Sequence, residues 1–131
     1  MKLKSITTLT FLLLAILTLH AQVPEISPLD LKEKLKSGNE NVVVLDVRTQ
    51  DEINRGVISP GVTTFNYYEG DFKNNIAQLD KDKTYYVYCH VGGRSGKAVQ
   101  MMQEMGFENV YNVEGGIVKW QQDGMKLVPK Q

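Results

Sequence analysis

The sequence predicts an α/β fold, with a largely parallel sheet carrying helices on both faces. Two short runs, residues 41–45 and 84–88, are dense in β-branched and aromatic residues and too short for buried helices. Other segments repeat their apolar residues at helical spacing, and the two kinds alternate along the chain. A length of 131 residues suits one compact domain.

Taken in order, residues 22–28 hold two prolines and read as a linker running into a first edge segment. Residues 29–36 set Leu29, Leu31 and Leu35 among charges and stop at Ser37-Gly38-Asn39, which marks a short helix. The run at 41–45, ending at Asp46, reads as a strand buried on both faces. Thr49 with Glu52 has capping-box spacing for a helical turn that ends near Gly56, and Pro60-Gly61 marks a further turn. Residues 61–65 suggest a short strand, and Phe72, Ile76 and Leu79 space a helix over 71–79. The aromatic run at 84–88 must be a strand. Ala98, Val99, Met101, Met102 and Met105 line one side of a helix that stops at Gly106. A last strand follows at 109–113, and a final helix runs from about Gly116 to Gln122, before Gly124.

Fifteen basic residues balance fifteen acidic ones, which rules out a basic protein built to bind a polyanion such as nucleic acid. With 11 Gly, 4 Pro and one Cys, collagen-like and disulfide-framework readings fail as well. The first 21 residues stand apart. Lys2 and Lys4 precede an apolar stretch that closes at Leu19-His20-Ala21, and no acidic residue comes before Glu25. This is the pattern of a secretory signal peptide, whose apolar region needs roughly 7–15 residues. A spanning helix needs about 20, and threonines interrupt this stretch. The expectation is export to the periplasm or the outside, with cleavage after Ala21 and no membrane contact afterwards. Retention as an N-terminal anchor is the alternative. Removal of 1–21 leaves thirteen basic against fifteen acidic residues over 22–131, so the mature protein, with its domain at 29–128, is mildly acidic.

An exported protein usually pairs its cysteines, yet Cys89 has no partner in its own chain. A lone Cys is most simply a small buried hydrophobe. Its surroundings argue otherwise, because it stands at the carboxyl end of the 84–88 strand and ahead of a helix, where open parallel sheets bind ligands. His90, Val91, Gly92 and Gly93 fill the gap, and the two glycines let the backbone turn its N–H groups inward around an anion. The helix N-terminus and Arg94 add positive potential. Together they favour thiolate over a free thiol with a pKa of about 8.5.

The pattern C-x-x-G-x-R-S, met by Cys89, Gly92, Arg94 and Ser95, resembles the active-site loop of the rhodanese family of sulfurtransferases. Val44-Leu-Asp-Val-Arg48 with Glu52 resembles that family's N-terminal signature, and residues 106–120 resemble its C-terminal one. The chain departs from the family at Gly56-Val57-Ile58-Ser59-Pro60-Gly61-Val62, where Val57 replaces a common histidine and one residue is inserted.

The resemblance implies a rhodanese-like three-layer sandwich with about five strands. It also implies a double displacement in which Cys89 takes a sulfane sulfur from a donor such as thiosulfate and passes it to cyanide or a thiol, including a thiol of a partner protein. The amides of His90, Val91, Gly92, Gly93, Arg94 and Ser95 would hold the persulfide, and the Arg94 side chain would take the donor's sulfonate. Ser95 would add a donor at the helix start. No metal and no organic cofactor is required. Two other readings stand beside this one. One is a carrier or docking module that holds a persulfide without turnover. The other is a phosphatase or arsenate reductase, disfavoured because four residues separate Cys89 from Arg94 where those enzymes use five, and a phosphoryl group needs a wider ring of donors.

The remaining polar residues read as structural. Asp46, Arg48 and Glu52 are expected to form an ion pair that fixes the loop after the first long strand. His90 is placed at the rim, steering substrate, because adjacent side chains diverge from the nucleophile. Gly115-Gly116 reads as a tight turn rather than a dinucleotide loop. Trp120 and the three methionines are expected to pack.

Overall fold

The computed structural model describes residues 22–131, so the signal segment expected at 1–21 lies outside the described residues. The elements are β1 (Glu25–Ile26), α1 (Pro28–Lys36), β2 (Val42–Asp46), α2 (Gln50–Ile53), β3 (Thr63–Thr64), α3 (Phe72–Ala77), β4 (Thr84–Tyr88), α4 (Gly93–Glu104), β5 (Val110–Val113) and α5 (Gly116–Gln122). No described helix is long and apolar enough to cross a membrane.

The five strands form one sheet in the order β1-β5-β4-β2-β3, and every neighbouring pair is parallel. The largely parallel sheet expected from the sequence is therefore present. β2 and β4 pair along their full length, from Val42 opposite Thr84 to Asp46 opposite Tyr88. Successive side chains of a strand point to opposite faces, so β4 feeds two cores. Tyr86 and Tyr88 join Leu31 of α1, Ile53 of α2 and Ile117 and Trp120 of α5 on one face. Tyr85 and Val87 join Phe72 and Ile76 of α3 and Ala98, Val99 and Met102 of α4 on the other. Met101 and Met105 pack against this second core at its margin. Both edges of the sheet are two-residue strands, too short to template pairing with another chain.

The helix expected over 71–79 is shorter, at Phe72–Ala77 with no side-chain cap, and two other boundaries moved where a cap took a residue. α1 begins one residue earlier than the leucine spacing suggests, because the Ser27 side chain accepts from the Asp30 N–H and Pro28 fits the first turn. α4 begins at Gly93, ahead of its first apolar residue, because Gly92 adopts φ 106° and turns the chain into the helix without a capping side chain. The segment with the inserted residue is held by Val57 and Val128, whose backbones exchange two 2.8 Å hydrogen bonds. Val57 is fully buried there, as an apolar residue at this turn permits.

One consequence of the topology positions the site. α2 leaves β2 toward one layer and α4 leaves the adjacent β4 toward the other. Neighbouring strands whose connections diverge in this way open a crevice at their carboxyl ends. Cys89 and the loop to Gly92 occupy that end of β4.

Candidate active site

Cys89 follows the last residue of β4 and is nearly inaccessible, at 1% exposure, while Val91 two residues later is 61% exposed. The loop folds back on the sulfur. The Gly92 N–H donates to Cys89 Sγ at 3.2 Å, and Ser95 Oγ lies 3.3 Å from it. Gly92 can do this because its positive φ sends the chain directly into the twelve-residue α4, which puts the helix N-terminus at the sulfur. Burial by itself pushes the Cys89 thiol up. The Ser95 hydroxyl and the amides of Ser95, Gly92 and Val91 more than offset this, and the net shift is below the ordinary thiol value. The sulfur is buried, yet amides face it.

The floor of the loop is set by α5. The N–H groups of Ile117 and Val118 donate to the carbonyls of Cys89 and His90 at 3.0 and 3.1 Å. This requires Gly116, since a Cβ there would lie 2.5 Å from the Cys89 oxygen and 2.6 Å from the His90 oxygen. The Gly115-Gly116 pair does form a tight turn, with φ of 68° and 55°, and it docks α5 against the backbone of the cysteine loop. His90 is exposed, at a cleft it shares with Glu52, Arg55 and Gln121.

Asp46, Arg48 and Glu52 separate into two arrangements. Asp46 and Arg48 form the expected buried pair, with Nε 3.0 Å from Oδ1 and the terminal nitrogen 2.7 Å from Oδ2. Arg48 also donates to the carbonyls of Glu52 and Gly56, so its charge is both paired and solvated by backbone. The Glu52 carboxylate is a correction to the expected ion pair. It completes the capping box with Thr49 and then reaches across the crevice to Arg94, at 2.7 and 2.8 Å. The Arg94 guanidinium holds the Glu52 carboxyl down at about 2, against an ordinary 4.5, with Thr49 assisting and partial burial opposing. Arg94, expected to meet the donor's sulfonate, thus has two of its five N–H donors committed to Glu52. It also stacks over the exposed Tyr68 ring at 5.5 Å.

Asn112 is the residue that sequence reasoning missed. It is buried on β5 and accepts from Ser95 Oγ at 2.6 Å, while its Nδ2 donates to the Gly92 carbonyl at 3.2 Å and to Glu25 at 3.3 Å. A polar residue in the middle of an otherwise apolar strand was the available signal, since a buried amide needs partners.

Residues 27–123 match the family described as rhodanese-like domain. Among curated relatives, the chain is 37% identical over 100 residues to the Bacillus subtilis protein named "Putative sulfurtransferase YtwF", with 76% of this chain and 92% of that one covered. It is 34% identical to the B. subtilis "Putative sulfur carrier protein YrkF", covering 76% of this chain and 52% of that one. It is also 34% identical to a tRNA uridine(34) hydroxylase of Delftia acidovorans, over 77% of this chain but 41% of the hydroxylase. The crystal structure of a rhodanese-related protein from Thermoplasma volcanium superposes with a TM-score of 0.69 at 32% identity, covering 80% of this chain and 97% of that one.

Proposed function

The chain belongs to the rhodanese-like family, whose membership carries a role in sulfur transfer, and from that premise we propose that it moves a sulfane sulfur through a persulfide on Cys89. The observation that carries this reading is the cradle of Gly92 N–H and Ser95 Oγ around a sulfur at the start of α4. In the first half-reaction the Cys89 thiolate attacks the outer sulfur of a donor such as thiosulfate. The donor's S–S bond breaks, sulfite leaves with the bonding pair, and a Cys89 persulfide anion remains. In the second, cyanide or a thiolate attacks the outer persulfide sulfur and Cys89 departs as thiolate. The loop amides hold the persulfide charge as an oxyanion hole holds oxygen.

The Arg94 donors left free by Glu52 are assigned to the donor's sulfonate, and His90 to steering at the rim. The test is steady-state sulfite release from thiosulfate with cyanide, in wild type and in Cys89→Ser. Turnover that vanishes in the variant supports the reading; turnover that persists overturns it. The sulfur-carrier relative favours a second reading, in which the persulfide forms once and waits for a partner protein's thiol. Stoichiometric loading without repeated sulfite release would select that one.

A further inference from the structure

Ser95 Oγ has one proton and two acceptors, Cys89 Sγ at 3.3 Å and Asn112 Oδ1 at 2.6 Å. Asn112 cannot turn over to yield its place. Both Nδ2 hydrogens are used, one on the Gly92 carbonyl and one on the Glu25 carboxylate, and these fix Oδ1 toward Ser95. All three residues are buried or nearly so, and no buried side-chain polar atom among the described residues lacks a partner. We propose that Asn112 is a positioning residue for Cys89, which competes with the sulfur for the Ser95 hydroxyl proton and so sets how readily the thiolate forms. The proposal rests on the reading of Cys89 as the reacting sulfur.

The argument is one of satisfaction. In the thiol state the Cys89 S–H points to Ser95 Oγ and the hydroxyl points to Asn112, so every group in the chain has a partner. In the thiolate state the hydroxyl must choose. If it turns to the sulfur, Asn112 Oδ1 is left buried without a donor; if it stays, the sulfur keeps only its amides. Either way, Asn112 penalises the thiolate relative to a loop without it. A persulfide that moves the charge to its outer sulfur would relieve that conflict, because the inner sulfur no longer needs the hydroxyl.

The test is the pH profile of Cys89 alkylation by iodoacetamide, which reads thiolate whether or not sulfur is ever transferred. Four proteins are compared: wild type, Ser95→Ala, Asn112→Leu and the double variant. Leucine keeps the side-chain length and removes the acceptor together with the two Nδ2 donors, whose loss is common to both Ser95 backgrounds and drops out of the comparison. The charged and titratable groups around the sulfur are Arg94 on α4, its partner Glu52 on α2, Glu25 on β1 behind Asn112, and His90 next in sequence. All are retained in the four proteins, so differences between backgrounds cancel their direct effects.

Asn112→Leu is expected to shift the alkylation midpoint down by about half a pH unit or more when Ser95 is present, and Ser95→Ala to shift it up. In the Ser95→Ala background the Asn112 substitution should produce no downward shift. An equal shift in both backgrounds, or an unchanged or raised midpoint with Ser95 present, overturns the proposal. Where Asn112→Leu fails to unfold cooperatively, Asn112→Ala takes its place in the same cycle. Failure of the proposal leaves persulfide loading of Cys89 intact; failure of the sulfur-transfer reading leaves the alkylation cycle intact.

Discussion

Cys89 is buried, and burial in an apolar setting ordinarily suppresses a thiolate. What reverses the sign is directional: a backbone N–H at 3.2 Å, a hydroxyl at 3.3 Å that the sulfur shares with Asn112, and the end of a helix. Arg94 adds a positive charge whose position is fixed from outside the loop, through Glu52. Arg94→Ala is therefore expected to raise the KM for thiosulfate about 10-fold or more, the scale of a lost charge-assisted hydrogen bond. The rate of thiol alkylation should change much less. Steady-state kinetics beside an alkylation time course checks this, and an unchanged KM would remove the sulfonate role from Arg94.

The elements show which parts of the architecture were legible in the chain. The two central strands were visible because short runs dense in β-branched and aromatic residues suit a strand, the helices α1, α3 and α4 because their apolar residues recur at helical spacing, and α5 because Gly116 and Gly124 bound it. The cysteine loop was visible because its motif is contiguous. What stayed hidden was contact between elements distant in sequence. Glu52 looked like a partner for Arg48, four residues away, but its side chain pairs with Arg94, and Asn112 sits seventeen residues from the Ser95 it serves. Gly115-Gly116 was legible as a turn, but not as the contact point of α5 with the loop. A Gly116→Ala change meets both the strained φ of 55° and two carbonyl oxygens under 3 Å away. It should destabilise the fold by about 2 kcal/mol or more, read as a lowered urea midpoint, and weaken loading of Cys89.

The bridge between α2 and α4 also gives the stability of the domain a pH signature. A carboxyl held at about 2 in the fold and near 4.5 when unfolded contributes stability that is complete above about pH 4.5 and is lost as pH falls toward 2. Glu52→Gln should remove that slope, so urea midpoints of variant and wild type converge near pH 2 and separate above pH 5. Parallel curves across the range would contradict the bridge.

At the scale of the whole molecule, two readings from different parts of the chain meet. Residues 1–21 are proposed to direct export and to be cut after Ala21, so the isolated protein should begin at Gln22. An exported domain with one thiol has no second cysteine to form an intramolecular disulfide with it, and here that thiol is almost fully covered. The most direct measurement is the intact mass of the purified protein after brief exposure to thiosulfate, with the modified peptide identified. The account predicts one added sulfur atom on Cys89, removed by cyanide and missing from Cys89→Ser. A protein that gains no sulfur, or that gains it equally with serine at position 89, contradicts the central claim.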